Sequence, residues 1–529
     1  MKNKQDGLKL CRVHRSGKTQ TTWLNYSDSC SLFFFLICFA VLSPTAFSQQ
    51  KETSQIEIVS AKEVTGYSNT QTNKLVGNVV CKQGNVFLYC DSAFLHDAQN
   101  TMDAYGNVHM VQGDTINLYG DKLLYNGNTK IADVYENVKL TDRSMTLTTK
   151  HLTYDLSNDV GFYTEFSRIV NKENILVSEK GYYYSKTKEF FFKDDVSLTN
   201  PNYIMNSDTL RYNTVSRTAF FFGPTTIRSK ENLIYCEKGW YNTVNETSSF
   251  TSHSYLLSKN QKLIGDSLFY NRNKGVGEAF RNVELLDTAQ KLTITGNYGI
   301  THRSNDLSFV TGRALLIRQF EKDSLFLHGD TLKTTFDTIA KERKLYAFHH
   351  VRIFKTDLRG KCDSMAYSSK DSLLRMFNAP VMWSDSNQMT AEYINLKLSN
   401  NKIDKLYLIN GSFITSREDS IRYNQIKGRN MIGYFTDSKL TKIKVTGNGQ
   451  TVYYGRDKNK ELMGVNKADC SDIMIYIKEN KIDRISLLTH PDATFFPIDK
   501  IRPRELMLRG FTWLEEKKPL SKEDVFNWK

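Results

Sequence analysis

One pattern returns along this chain about every thirty residues, and units that short can bury an apolar face only by stacking on copies of themselves. Gly77-Asn78-Val79, Gly106-Asn107-Val108 and Glu136-Asn137-Val138 follow one another at 29 and 30 residues. A second landmark reads small, acidic, any, Leu, any, Tyr. It stands as Gly120-Asp121-Lys122-Leu123-Leu124-Tyr125, as Ser207-Asp208-Thr209-Leu210-Arg211-Tyr212 and as Gly265-Asp266-Ser267-Leu268-Phe269-Tyr270. Alignment on its acidic slot gives thirteen copies, at Asp91, Asp121, Lys150, Lys180, Asp208, Glu237, Asp266, Asn297, Asp330, Asp363, Glu392, Arg429 and Asp472. The first seven steps are 28 to 31 residues and most later ones are longer, so insertions fall between the C-terminal copies.

Two positions before the small slot stand Leu88, Leu118, Leu147, Val177, Met205, Ile234, Leu263, Ile294, Leu327, Met389 and Ile426. An apolar column of that kind faces a core. Within one copy, Ile116, Leu118 and Gly120 alternate, then Leu123 and Tyr125 alternate on the opposite parity. The side-chain period of two therefore slips by one at Gly120-Asp121, which calls for a corner or bulge. The small residue would let the backbone turn, and the carboxylate would accept backbone N–H groups freed at the bend. With 28 Tyr and 31 Phe against 8 Pro, the chain favours pleated ladders. Each unit reads as two or three strands of five to seven residues, with turns such as Gln83-Gly84-Asn85 and Gln112-Gly113-Asp114. At roughly 4.8 Å per strand, thirteen units make an all-β column about 60 Å long.

The N-terminus carries Lys2, Lys4, Lys9, Arg12, Arg15 and Lys18, then an apolar run from Leu32 to Leu42, then Ala46-Phe47-Ser48. That layout predicts a cleaved secretory leader over residues 1–48 and an exported product. The run is too short to span a bilayer, which takes about 20 residues as a helix. Loss of the leader removes six bases and two acids, which lowers the formal charge from +14 to +10. The remaining excess is spread thinly, without a block of five or six Lys or Arg, and argues against a nucleic-acid partner.

The sequence Gly-Asn-Val, a Gln-Gly turn, then Ile-x-Leu-x-Gly-Asp-x-Leu-x-Tyr over residues 106–125 resembles the OstA-like family: LptA and the periplasmic N-terminal domain of LptD. The clearest match spans residues 74–160, and degenerate copies run to about residue 480. The resemblance implies an elongated, twisted β-jellyroll, periplasmic or outer-membrane-associated, whose interior shields lipid A acyl chains of lipopolysaccharide. It implies neighbouring jellyrolls of the transport bridge joined by edge-strand addition, outer-membrane components as further partners, and no cofactor. On this reading Leu88, Leu118, Leu123, Tyr125, Leu147, Tyr154, Val177, Met205, Tyr212, Ile234 and Tyr270 line the lipid path. The chain is longer than an LptA, and the roughly fifty residues after the last copy leave no room for an LptD barrel.

Cys90, Cys236 and Cys362 occupy the small slot and Cys81 an apolar one, so these cysteines read as small core residues, with a Cys81–Cys90 bridge left open. The acidic slot admits Lys150, Lys180 and Arg429, which suits corners better than a calcium ladder or a catalytic row. His349 and His350 would point to opposite faces of a strand, which disfavours a shared metal. No Gly-x-Ser-x-Gly, zinc-ligand or phosphate-loop pattern occurs, and the chain reads as no enzyme. The rival readings are a structural or adhesive β-solenoid with a dry core and, further off, a polysaccharide-active β-helix. The organisation expected is a leader at 1–48, jellyroll repeats at 49–300, degenerate repeats with insertions at 301–498, and a docking or capping tail at 499–529, where Ser521-Lys522-Glu523-Asp524 reads as a helix start.

Overall fold

The computed structural model describes residues 54–528 apart from turn segments at 114–115, 231, 259–260, 290, 303–306, 322, 400–401, 438, 458, 460 and 479–480. The expected leader lies outside the described residues. Among those described, forty strands pair antiparallel into one connected sheet, and the helical segments are short 3-10 turns in the tail. Consecutive strands are neighbours: Thr72–Gln83 pairs with Val86–His96, which pairs with Thr101–Gln112, which pairs with Ile116–Asn126. The strands here are 11 or 12 residues long, not five to seven. The shorter segments foreseen are the halves of strands that bend in the middle. Each unit thus adds two strands, and its rise is about two spacings of roughly 4.8 Å, double the one-strand estimate.

The bend has one recurring construction. Val76 faces Ser92 and Val79 faces Cys90, so one strand carries an extra residue at Gly77-Asn78. The same slip recurs at Gly106-Asn107 and Glu136-Asn137, and each of these pairs is left-handed: Gly106 has φ 76° and Asn107 has φ 44°. Glycine takes that conformation without a Cβ penalty, and asparagine tolerates it better than most residues. This explains the Gly-Asn-Val motif. It also corrects the expected roles at the bend. The small slot does not turn the backbone; it admits the neighbouring strand, since a Cβ on Gly120 would lie 2.3 Å from Val134 Cγ1. The carboxylate mostly accepts a side-chain donor from the bulge opposite: Asn107 Nδ2 to Asp91 at 2.8 Å, Asn137 Nδ2 to Asp121 at 2.6 Å, and Asn410 Nδ2 to Glu392 at 3.1 Å. Asp472, which takes the Gly447 N–H at 3.1 Å, follows the expected backbone pattern.

His349 and His350 occupy a bulge with φ 57° and 53°, so the strand argument about their faces does not apply. His350 Nδ1 instead lies 2.8 Å from the slot residue Asp330. The fourth copy also needs correction. The Glu179 N–H donates to Asp194 O at 3.1 Å, as Asp266 N–H does to Arg281 O, so Glu179 and not Lys180 fills the slot.

The bends divide the sheet into two walls that face each other. Wall one holds the halves around Val79–Gln83, 86–90 and 108–112; wall two holds 72–76, 92–96 and 101–105. Farther on, wall two runs through Val160–Tyr163 and Lys180–Tyr184, while wall one runs through Ser167–Asn171 and Asn174–Ser178. Burial follows the predicted slip: in Ile116–Asn126, Ile116, Leu118 and Gly120 are buried, then Leu123 and Tyr125. The result is a long antiparallel jellyroll whose apolar side chains meet between the walls.

Gly106 and Gly113 separate two costs. Gly113, φ 59°, has nothing within 4 Å of a built Cβ, whereas at Gly106 that atom would lie 2.6 Å from Asp91 Oδ2. Gly113→Val should cost about 1–2 kcal/mol for the left-handed backbone alone. Gly106→Val should cost more, read as a larger drop in the urea midpoint of unfolding.

Candidate functional site: the interior and its seam

The interior divides into two main apolar clusters, one spanning Ile56 to Val283 and one Ile294 to Ile475. Of the residues expected to line it, Leu88, Leu118, Leu123, Tyr125, Leu147, Tyr154, Met205 and Tyr212 are all buried in the first cluster. Ile234 is half-buried and packed against it, and Tyr270 is partly exposed near its end. Val177 is half-buried on the outer parity, and Leu176 takes the core position. The cause is the shifted slot: counted from Glu179, the column falls on Leu176, and the run Ile175-Leu176-Val177 carries no alternation to mark the parity.

From Tyr125 onward the first cluster also buries rings. Tyr125, Tyr154, Tyr163, Tyr183, Phe190, Phe192, Phe221 and Phe250 are buried there, and Phe190 stacks on both Tyr183 and Phe192. Burial pushes the Tyr125 and Tyr154 hydroxyls up to about 12. The five described cysteines are free and buried; desolvation pushes Cys81 up to about 11 and Cys236 up to about 12, so they act as small apolar groups with unreactive thiols. Among the described residues no group of three or more His, Cys, Asp or Glu could hold a metal.

Opposite the bends, the turns of the two walls meet along a seam. In the first cluster polar side chains lace it. Gln83 Nε2 donates to Gly127 O at 2.9 Å while its carbonyl accepts the Tyr125 hydroxyl. Gln112 Nε2 donates to Asp159 Oδ1 at 2.9 Å. Asp142 accepts the Tyr183 hydroxyl and pairs with Lys188 at 3.1 Å. Asn174 Nδ2 reaches the Tyr212 hydroxyl at 3.4 Å. Each link joins a wall-one turn to a wall-two turn about one and a half units later. No lone motif marked these residues as partners, because the pairs are some forty positions apart; only the unit period relates them.

Residues 53–208 match the family model described as OstA-like protein. This stretch is similar to OstA-like proteins. A solved structure described as LptH, the LptA homologous periplasmic component of the conserved lipopolysaccharide transport device from Pseudomonas aeruginosa, is 13% identical, with 22% of this chain and 82% of that chain covered and a TM-score of 0.20. No curated protein matches the sequence.

Beyond the OstA-like stretch the second cluster changes character. Its buried members are Ile, Val, Leu, Ala, Met and Cys, including Met365, Met376, Met382, Met389 and Met431, with no ring among them. At the seam several of its apolar residues are half-buried, Leu285, Leu292 and Leu325 on wall one and Leu345, Leu374 and Leu440 on wall two, while Leu358 is buried. The turn hydrogen bonds described past Tyr241 stay within one wall, as in Gln261 to Asp287 and Lys402 to Asp437.

The tail binds the outer face of wall one in this region. Gln425 Nε2 donates to Leu506 O while Gln425 Oε1 accepts the Leu508 N–H, and Gln388 makes the same pair of bonds with Thr512 O and Leu514 N–H. Two glutamine amides thereby hold an extended tail as a neighbouring strand would. Arg352, 2% exposed, donates to the carbonyls of Lys517, Asp524 and Asn527. Leu506 and Leu508 pack on Phe413, Val452, Tyr454 and Val465. The foreseen helix start is a 3-10 turn, Glu523–Phe526, with the Leu520 and Ser521 N–H groups on Asp524 Oδ2.

Burial alone would raise the Asp142 carboxyl, but hydrogen bonds from Tyr183, Ser144 and Lys188 outweigh it and hold its pKa below the ordinary 3.8. A depressed carboxylate contributes stability that is present above its unfolded pKa and lost as pH falls through the folded value. Asp142→Asn should therefore destabilise the chain by about 1–3 kcal/mol at pH 7. Urea midpoints of the two proteins should converge below about pH 3.8.

Proposed function

We propose that this protein is a non-enzymatic component of lipopolysaccharide transport, working in the periplasm between the inner and outer membranes. The observation that carries this reading is the two-walled sheet, bent at a recurring bulge, whose two main apolar clusters lie between the walls. Such a trough separates an amphiphile by its chemistry: acyl chains between the walls, sugars and phosphates along the wet seam. The OstA-like match over residues 53–208 supports the same assignment. Residues 49–300 and 301–498 then act as two stretches of one path.

The ends of the sheet suit assembly with other bridge components. Glu57–Ser60 and Glu63–Tyr67 lie at the first edge, pair with Thr72–Gln83, and expose Ile58, Val59, Val64 and Tyr67. Asp492–Pro497 and Lys481–Leu488 lie at the last. An edge with free backbone donors and acceptors takes another strand by β-augmentation. Outer-membrane components would receive the cargo at one of these ends.

A binding assay with the full secreted chain tests the reading. Intact lipopolysaccharide should bind, and the same molecule stripped of its acyl chains should fail to compete. Equal competition by the deacylated sugar would remove the acyl-shielding role.

A further inference from the structure

On the outer face of wall two, cross-strand pairing lines up one residue of each strand in a single row. The row starts mixed and charged, from Lys74 through Phe94, Asp103, Leu124 and Asp133 to Thr153. Its middle is aromatic. Phe162 pairs with Tyr182 and Tyr182 with Phe191; Phe220 pairs with Trp240, and the row continues through Ser249 to Phe269. Past Glu278 and Ile300 it reaches Phe309, and then it meets charge again at Lys333. The neighbouring row on the bend side adds Phe222 and Phe280. These rings reach water: Tyr182 is 48% exposed and Phe222 47%. Over the same strands the outer face of wall one shows the Tyr235–Tyr255 stack among aliphatic and polar side chains such as Val170, Thr199, Ile204 and Thr226. Within the aromatic stretch Arg211 stands between Phe191 and Phe220, its guanidinium 4.4 Å from the Phe220 ring centre. Its buried Nε finds no acceptor among the described residues.

We infer that the stretch from Phe162 to Phe309 is a self-complementary interface, on which a second copy of this chain packs wall two against wall two. A contiguous exposed apolar patch with charge at its borders marks an interaction surface, and rings and arginine are the side chains such surfaces concentrate at their centres. What selects a second copy is the order of residues along the row. A two-fold axis lying between the two faces, parallel to the strands and midway between Asn232–Asn242 and Thr247–Thr251, reverses that order. Trp240 then meets the partner's Ser249, Phe220 meets the partner's Phe269, and Arg211 meets the partner's Glu278. Large faces small, ring faces ring and cation faces anion at one axis position. Moving the axis by half a strand spacing either way sets Arg211 against Phe269 or Ile300 and loses the charge match. At roughly 4.8 Å per strand the stretch is about 48 Å long, and with three side-chain rows it offers roughly 800 Å² per copy, the size of a standard specific interface. Cross-strand ring pairs alone would stabilise a sheet, but they give no reason for an arginine flanked by rings or for an acid at the symmetric position. The pairing leaves the interior and both sheet ends free, so it goes beyond the transport reading and does not depend on it.

Sedimentation equilibrium of the full secreted chain tests the pairing, and the expected mass is that of two copies. Arg211→Glu and Glu278→Arg each set like charges together twice in the symmetric pair. Each should weaken the pair by roughly tenfold or more, and the double swap should recover most of the affinity. Both positions lie on the outer face, and circular dichroism should show every variant folded. A monomer at all concentrations up to about 0.1 mM overturns the proposal. So does an assembly of any size that ignores both reversals, as growth through the end strands would. Weakening in both single variants without recovery in the swap overturns the two-fold arrangement. A monomer that binds anionic vesicles, and loses that binding in Trp240→Ser and Phe222→Ser, would make the face a membrane contact and overturns the proposal as well.

Discussion

The fold depends on a left-handed bulge that recurs in most units. A flat antiparallel meander of this length would bury neither face. The extra residue at Gly77-Asn78, Gly106-Asn107 and their later equivalents reverses side-chain parity halfway along each strand and bends it, so that the apolar positions of both halves end on the inside. The slot residue on the neighbouring strand then ties the bulge down, through Asp91 to Asn107 and Asp121 to Asn137. Where the asparagine is lost, other polar pairs take over, as Lys180 with Asp194 at 2.7 Å and His253 with Glu237 at 3.1 Å. The requirement is a polar link at the bend, and its chemistry drifts while its place does not.

Once the walls face each other, what fills the space between them decides what the space can do. From Tyr125 to Phe250 the space holds buried rings beneath a hydrogen-bonded seam; from Ile294 to Ile475 it holds aliphatic and methionine side chains with leucines half-buried at the rim. Both stretches use the same backbone and the same bend. The strap adds stiffness on one side only, because its glutamine and arginine anchors all belong to the outer face of wall one.

Much of this architecture was legible in the residues. The unit length, the parity slip at Gly120-Asp121, the Gln83-Gly84-Asn85 turn and the burial of Leu88, Leu118, Leu147 and Met205 all follow from a period of two interrupted at fixed spacing. Three things were hidden for physical reasons. Bent strands look like two short strands, because a bulge interrupts alternation as a turn does. Val177 was preferred to Leu176 because Lys180 mimics the slot one position late in an unbroken apolar run. The seam links and the tail strap were out of reach altogether: Gln83 with Gly127, or Arg352 with Lys517, are contacts between distant positions that local pattern does not encode.

The most direct measurement is the distance across each seam with and without lipid, by paired spin labels in the full chain. One pair at Asn85 and Thr129 spans the laced seam. A second at Glu321 and Lys402 spans the seam of the second cluster. Saturating lipopolysaccharide should widen at least one of the two distances. Bound lipopolysaccharide with neither distance altered would contradict the account, since the chains would then lie somewhere other than between the walls.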